Sequence, residues 1–212
     1  MSDGVGRSFL FSLFLTLAVA TLLRGVWLTS DPPTHATVGI VWRDEGAWVH
    51  NARNRVLWGV WRTDQWNPIF IAPGFTGLEY ASFLAFGVGT WQARTVPAAS
   101  GVLAVALLAA GLAIASGRRA ALVGGCLLAM NYVFVMWNRA ALMESTMTAL
   151  IVASWTAYTV AERRPAAGAV AGFAVVLAWF TKASAAFFLP ALVLDAVATI
   201  VLAHWTAASR RL

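Results

Sequence analysis

VPAASGVLAVALLAAGLAIAS, residues 96–116, holds no charged side chain, and at about 1.5 Å of rise per residue a helix of this length crosses about 30 Å of bilayer hydrocarbon. One similar run precedes it, at 8–29, and four follow, at 120–137, 140–161, 165–181 and 183–208; the sixth span carries Asp195. Across all 212 residues, 60% are hydrophobic and 11% charged, a balance that excludes a water-facing globule. The predicted fold is all-α, a polytopic membrane protein with about six transmembrane helices. The first run begins like a signal peptide after Arg7, but it is too long for an h-region and lacks a convincing small-residue cleavage site, so it reads as a retained span.

The charges orient these spans. The chain has a net charge of +6, yet Arg118–Arg119, Arg163–Arg164 and Arg210–Arg211 sit at ends of apolar runs and form no stripe, which argues against a nucleic-acid partner. With Arg7 cytoplasmic, six spans place all three pairs on the same side, as the positive-inside rule requires. Both termini are then cytoplasmic, and residues 30–95 form an external loop. Cys126 is the only cysteine, so no disulfide framework or cysteine metal site is available.

Within that loop, WRDEGAWVHNARNRVLWGVWRTDQW (42–66) carries five of the eleven tryptophans among arginines, an acidic pair and one histidine, a mixture suited to the membrane–water boundary. Trp48, Ala52 and Val56 recur every four residues, with Val49 and Leu57 on the same side and His50, Arg53 and Asn54 facing elsewhere. This pattern predicts an interfacial helix over 44–58. Asn67–Pro68 and Pro73–Gly74 break the chain before a second interfacial or re-entrant helix over 74–89, apolar except for Glu79. A seventh span there would invert every later arginine pair.

Asp44 and Glu45 read either as an ordinary acidic helix start or as a site. Arg139 and Glu144, at the outer ends of the third and fourth spans, either close a helical hairpin by a mutual salt bridge or act on a substrate. Lys182, the only lysine, either snorkels to the interface or joins them.

The ordered stretches DEGAWVHNARNRVLWGVWRTDQWNP, FLAFGVGTWQARTVPAASGVLAV, NYVFVMWNRAALMES and FTKASAAFFLPAL together resemble the amino-terminal module of GT-C-fold membrane glycosyltransferases. The similarity is to the glycosyltransferase family 39 group containing aminoarabinose transferases and protein O-mannosyltransferases, and it runs over about residues 8–195. It implies an acidic catalytic residue in the first external loop, here Asp44 with Glu45. It also implies an arginine before the second span, Arg94, and an arginine–acid pair after the third, Arg139 with Glu144. Where aminoarabinose transferases carry Lys–Pro–Pro, this chain has IAPGFTGLEY and no lysine.

The resemblance implies an inverting transferase that takes a polyprenyl phosphate sugar donor to a lipid, glycan or protein acceptor on the external face of the inner membrane. Asp44 would be the base, Arg94, Arg139 and Lys182 the cations facing the phosphate, and Glu45 and Glu144 would orient arginines or help hold a divalent cation. His50 and Arg53 complete the candidate substrate-binding set. Members of the family are longer, so the alternatives are a non-catalytic membrane subunit, an inactive fragment of a longer transferase, or a small transporter. The topology is directly testable. In a Cys126→Ala background, an impermeant thiol reagent on intact cells should label Asp64→Cys and spare Arg118→Cys; the reverse pattern overturns the orientation.

Overall fold

The computed structural model describes residues 2–30, 40–62, 72–161 and 163–209. Asn67–Pro68 and Arg210–Arg211, singled out in the sequence, lie outside them. The described residues form nine α-helices and no strand: α1 (Ser2–Gly25), α2 (Ile40–Trp58), α3 (Pro73–Phe86), α4 (Thr90–Ala115), α5 (Arg118–Met130), α6 (Tyr132–Asn138), α7 (Met143–Ala161), α8 (Ala166–Thr181) and α9 (Phe188–Ser209). A 3-10 turn, Ala183–Phe187, links α8 to α9. The chain is an all-α membrane protein. By length and apolar composition, Gly6–Gly25, Thr90–Ala115 and Ala183–Leu202 reach across a bilayer, and α5 with α6 makes a fourth candidate span bent by 62°.

The bend has a local cause. Asn131 leaves helical geometry and its side chain accepts a hydrogen bond from Phe134 N at 2.8 Å, ending α5 and capping α6. Between α3 and α4 the break falls at Gly87–Gly89 rather than before residue 96, because Gly87 adopts φ +82°, where glycine avoids a Cβ clash. Arg94 therefore sits inside α4, and Pro97 is carried within the helix.

α4 is the central helix. It packs on α1, α3, α5 and α7, and α7 in turn packs on α8. Small residues set these distances, as expected where lipid supplies no hydrophobic drive between helices. A Cβ at Gly111 would lie 2.4 Å from the Trp155 ring, so α4 and α7 approach through that glycine. Hydroxyls join the same helices: Ser100 and Thr146 lie 3.0 Å apart, Thr156 Oγ1 donates to Leu107 O at 2.9 Å, and the buried Ser154 Oγ donates to Ala171 O on α8 at 2.9 Å.

On the other side of α4, Ala20 of α1, Val105 and Ala129 of α5 form a buried apolar cluster. Beside it lies a polar one. Arg24, almost completely buried, donates from Nε to Asn138 Oδ1 at 2.7 Å and from Nη1 to the carbonyls of Ala20 and Ala129; Asn138 Nδ2 donates to Ser145 Oγ at 2.8 Å. The Phe134 ring stacks 5.3 Å from the guanidinium carbon. Gly101 makes room for this network, since a Cβ there would fall 2.1 Å from Asn138 Oδ1.

Candidate active site

α2 starts at Ile40, one turn earlier than the acidic pair suggests, because Ile40, Val41 and Trp42 extend it. No acid lies in its first turn, so Asp44 and Glu45 are not placed at a helix start, and stabilisation by free N–H groups does not account for them. Trp48 and Val49 pack against the buried Phe75 and Met143, and Val49 and Val56 against Ala52, Phe83, Ala93 and Ala141. Leu57, expected on the same side, is exposed. His50 and Asn54, expected to face away, are buried together with Asn51, because α2 is covered by α3 on one side and by α4 with the α6–α7 turn on another. Arg53 does turn outward, bonded to Asn54 Oδ1 with its guanidinium 6.0 Å from the Trp58 ring. His50 Nδ1 lies 2.7 Å from Ala47 O within its own helix.

Asp44 is exposed, while its neighbour Glu45 turns inward. Arg94 donates from Nε to Glu45 Oε1 and from Nη2 to Oε2, both at 2.8 Å, a planar bidentate pair that a lysine would not reproduce. Arg94 Nη1 donates to Leu28 O at 2.9 Å, and Glu45 Oε1 also accepts from Ala141 N at 2.6 Å. One ion pair thus ties α2, α4, the chain just past α1 and the α6–α7 turn. With side chains 5% and 12% exposed, loss of either partner strands a charge, an effect of about 3–5 kcal/mol.

Arg139 reaches the same end of α1, donating to Leu23 O at 2.8 Å and Trp27 O at 2.9 Å. Two arginines from different segments therefore satisfy carbonyls where the α1 dipole is negative. Glu144 lies in the first turn of α7 and pairs with Lys182 at the end of α8. Both groups are about one-third exposed, which leaves that pair open to a ligand. Among the described residues, no group of three or more His, Cys, Asp or Glu side chains is placed to hold a metal ion.

Two residues outside the expected set shape the region. Arg24 anchors α1, and its signal was present as an ionisable residue inside a span. Glu79 of α3 is fully buried with neither carboxyl oxygen hydrogen-bonded. Burial, and secondarily the Glu45 carboxylate, push its pKa up to about 9.

The site is thus an exposed Asp44 beside Glu45, which Arg94 braces, in an all-α membrane protein, and the family comparison makes it a GT-C-like glycosyltransferase module. A family model described as dolichyl-phosphate-mannose-protein mannosyltransferase matches residues 73–210, and the chain belongs to that family. The match takes in Arg94, Arg139, Glu144 and Lys182, while α1 and α2 with Asp44 and Glu45 lie before it. Neither a curated protein nor a solved structure matches the chain.

Glu79 gives a pH signature. A carboxyl raised from 4.5 to about 9 binds a proton in the folded state that the unfolded chain has released, so stability falls as pH climbs through that window and levels off above it. In detergent, Glu79→Gln should raise the thermal unfolding midpoint at about pH 8 and flatten its fall between about pH 5 and pH 9. A profile coinciding with the parent contradicts the assignment.

Proposed function

We propose that this membrane glycosyltransferase moves a sugar from a polyprenyl-phosphate-linked donor to a lipid, glycan or protein acceptor at the external face of the plasma (inner) membrane, with inversion and with Asp44 as base. The observation that carries the reading is the Glu45–Arg94 brace, which holds α2 so that the adjacent carboxylate of Asp44 stays exposed. The family match supplies the reaction class. The six-span path with both termini cytoplasmic is part of the same proposal.

The chemistry needs three provisions. The acceptor hydroxyl gives its proton to Asp44 as its oxygen attacks the anomeric carbon, and the bond from that carbon to the phosphate oxygen breaks with the electron pair leaving on phosphate. Cations must stabilise that developing charge. Lys182 and Arg139 suit the task because both are partly exposed, Arg139 while also donating to Leu23 O and Trp27 O, whereas Arg94 is almost buried and bidentate to Glu45, so it positions the acidic pair. Lastly, the polyprenyl tail needs apolar surface. A cavity of about 560 Å³ between α3, α4, α7 and α8 offers it, lined by Leu78, Phe86, Val96, Leu103, Leu150 and Leu177. Thr146 and Thr181 also line this groove, within two residues of Glu144 and Lys182 respectively. The tail therefore leads toward the phosphate-facing cations.

Asp44→Asn keeps shape and hydrogen bonding but removes proton acceptance. It should lower transfer from a polyprenyl phosphate sugar by roughly 10²- to 10⁴-fold with an unchanged unfolding midpoint. Full activity in that variant refutes Asp44 as base.

A further inference from the structure

Around α4 from the groove just described, and meeting it at Thr95 and Ala99, lies a second slot, between α1 and α4. Its volume is about 530 Å³, and its lining includes Arg24, Gly25, Leu28, Trp91, Ala98 and Val102. None of Asp44, Glu45, Arg94, Arg139, Glu144 or Lys182 contributes to it, and Arg24 lines this slot and not the groove. We propose that this slot seats the phosphate headgroup of an anionic bilayer phospholipid, with Arg24 as its fixed counter-charge.

Arg24 carries the argument. Its five N–H groups find four acceptors: Asn138 Oδ1 and the carbonyls of Ala20, Ala129 and Leu128, the last at 3.5 Å. None of these acceptors is charged. The remaining neighbour, the Phe134 face, offers only the weak negative potential of a ring. A guanidinium hydrogen-bonded only to neutral acceptors, within a segment able to span a bilayer, leaves a positive potential in a low-dielectric setting where it is scarcely screened. Because Arg24 is 1% exposed yet lines the slot, that potential faces the cavity from its inner wall.

The rest of the slot selects the kind of anion. Among the described residues no carboxylate lines it, which disfavours a cation. The hydroxyls of Thr21 and Thr95 bond back to Leu17 O and Trp91 O of their own helices, and Arg24 is the one charged group among the described lining residues. The remaining wall is apolar, and the flanking faces of α1 and α4 expose Leu22, Val26, Trp91 and Leu103, as a surface meeting acyl chains does. A small soluble anion would gain nothing from that wall; a phosphate joined to hydrocarbon chains matches both parts.

The test is native mass spectrometry of the full chain released from neutral detergent containing equimolar phosphatidylglycerol and phosphatidylcholine with matched chains. Phosphatidylglycerol should be retained several-fold over phosphatidylcholine. Arg24→Gln should erase the preference. Because that change also touches the buried network, Gly25→Phe is the second variant: a Cβ at Gly25 meets nothing within 4 Å, so the ring fills the slot without disturbing the fold. Gly25→Phe should bring phosphatidylglycerol retention down to the phosphatidylcholine level at an unchanged unfolding midpoint. Equal retention of the two lipids, or undiminished phosphatidylglycerol binding in Gly25→Phe, overturns the proposal. So does one-for-one displacement of phosphatidylglycerol by polyprenyl phosphate, which would make the slot part of the donor site.

Discussion

The bidentate pair between Glu45 and Arg94 is the constraint on which the outer half of this molecule depends. A carboxylate and a guanidinium removed from water are costly unless their geometry is good and their remaining lone pairs and protons are used. Both conditions are met here, because Ala141 N adds a third hydrogen bond to Glu45 and Leu28 O a third to Arg94. The same four bonds fix the relative position of four segments that are far apart in sequence. A helix rich in arginine and tryptophan is thereby fastened to the span ends, and its neighbouring carboxylate is left facing outward.

The ionisable groups fall into a consistent division. Arg24 and Arg94 are buried and hydrogen-bonded, one to amide and carbonyl oxygens and the other to a carboxylate. Arg139, Glu144 and Lys182 are partly exposed, and Arg53 points away from the cluster altogether. Buried charges build the frame, and the partly exposed ones lie at its rim. Glu79 departs from this division: with burial and the Glu45 carboxylate both favouring its neutral form, it sits beside the brace as an uncharged acid.

The architecture follows from the chain's most robust signal, long apolar runs without charge, so the all-α membrane fold is apparent from composition alone, whereas the break at Asn131 that divides the run 120–137 into α5 and α6 is not. The family likeness is equally visible in the ordered set around Arg94, Arg139 and Lys182. What periodicity does not reveal is how many sides of an amphipathic helix are covered. α2 has the pattern of a one-faced interfacial helix, yet His50, Asn51 and Asn54 are buried, because α3, α4 and the α6–α7 turn enclose more than its apolar stripe. Pairings are likewise invisible to spacing. Glu144 meets Lys182, 38 positions along the chain and on another helix, because α7 and α8 pack side by side. The start of α2 was obscured for a simpler reason: an acidic pair imitates the beginning of a helix, and only the apolar residues before it extend the turn.

The central claim is that Glu45 and Arg94 act as one unit holding α2 to the span ends, and a double-mutant cycle tests it most directly. Unfolding of the parent, Glu45→Gln, Arg94→Gln and the double variant would be measured in one detergent at one pH. A shared brace predicts that each single change is strongly destabilising and that the double change costs little more than the worse single one, so the coupling approaches the smaller single loss, about 3 kcal/mol. Additive losses, with coupling indistinguishable from zero, would contradict the account and reduce the pair to two independent contacts.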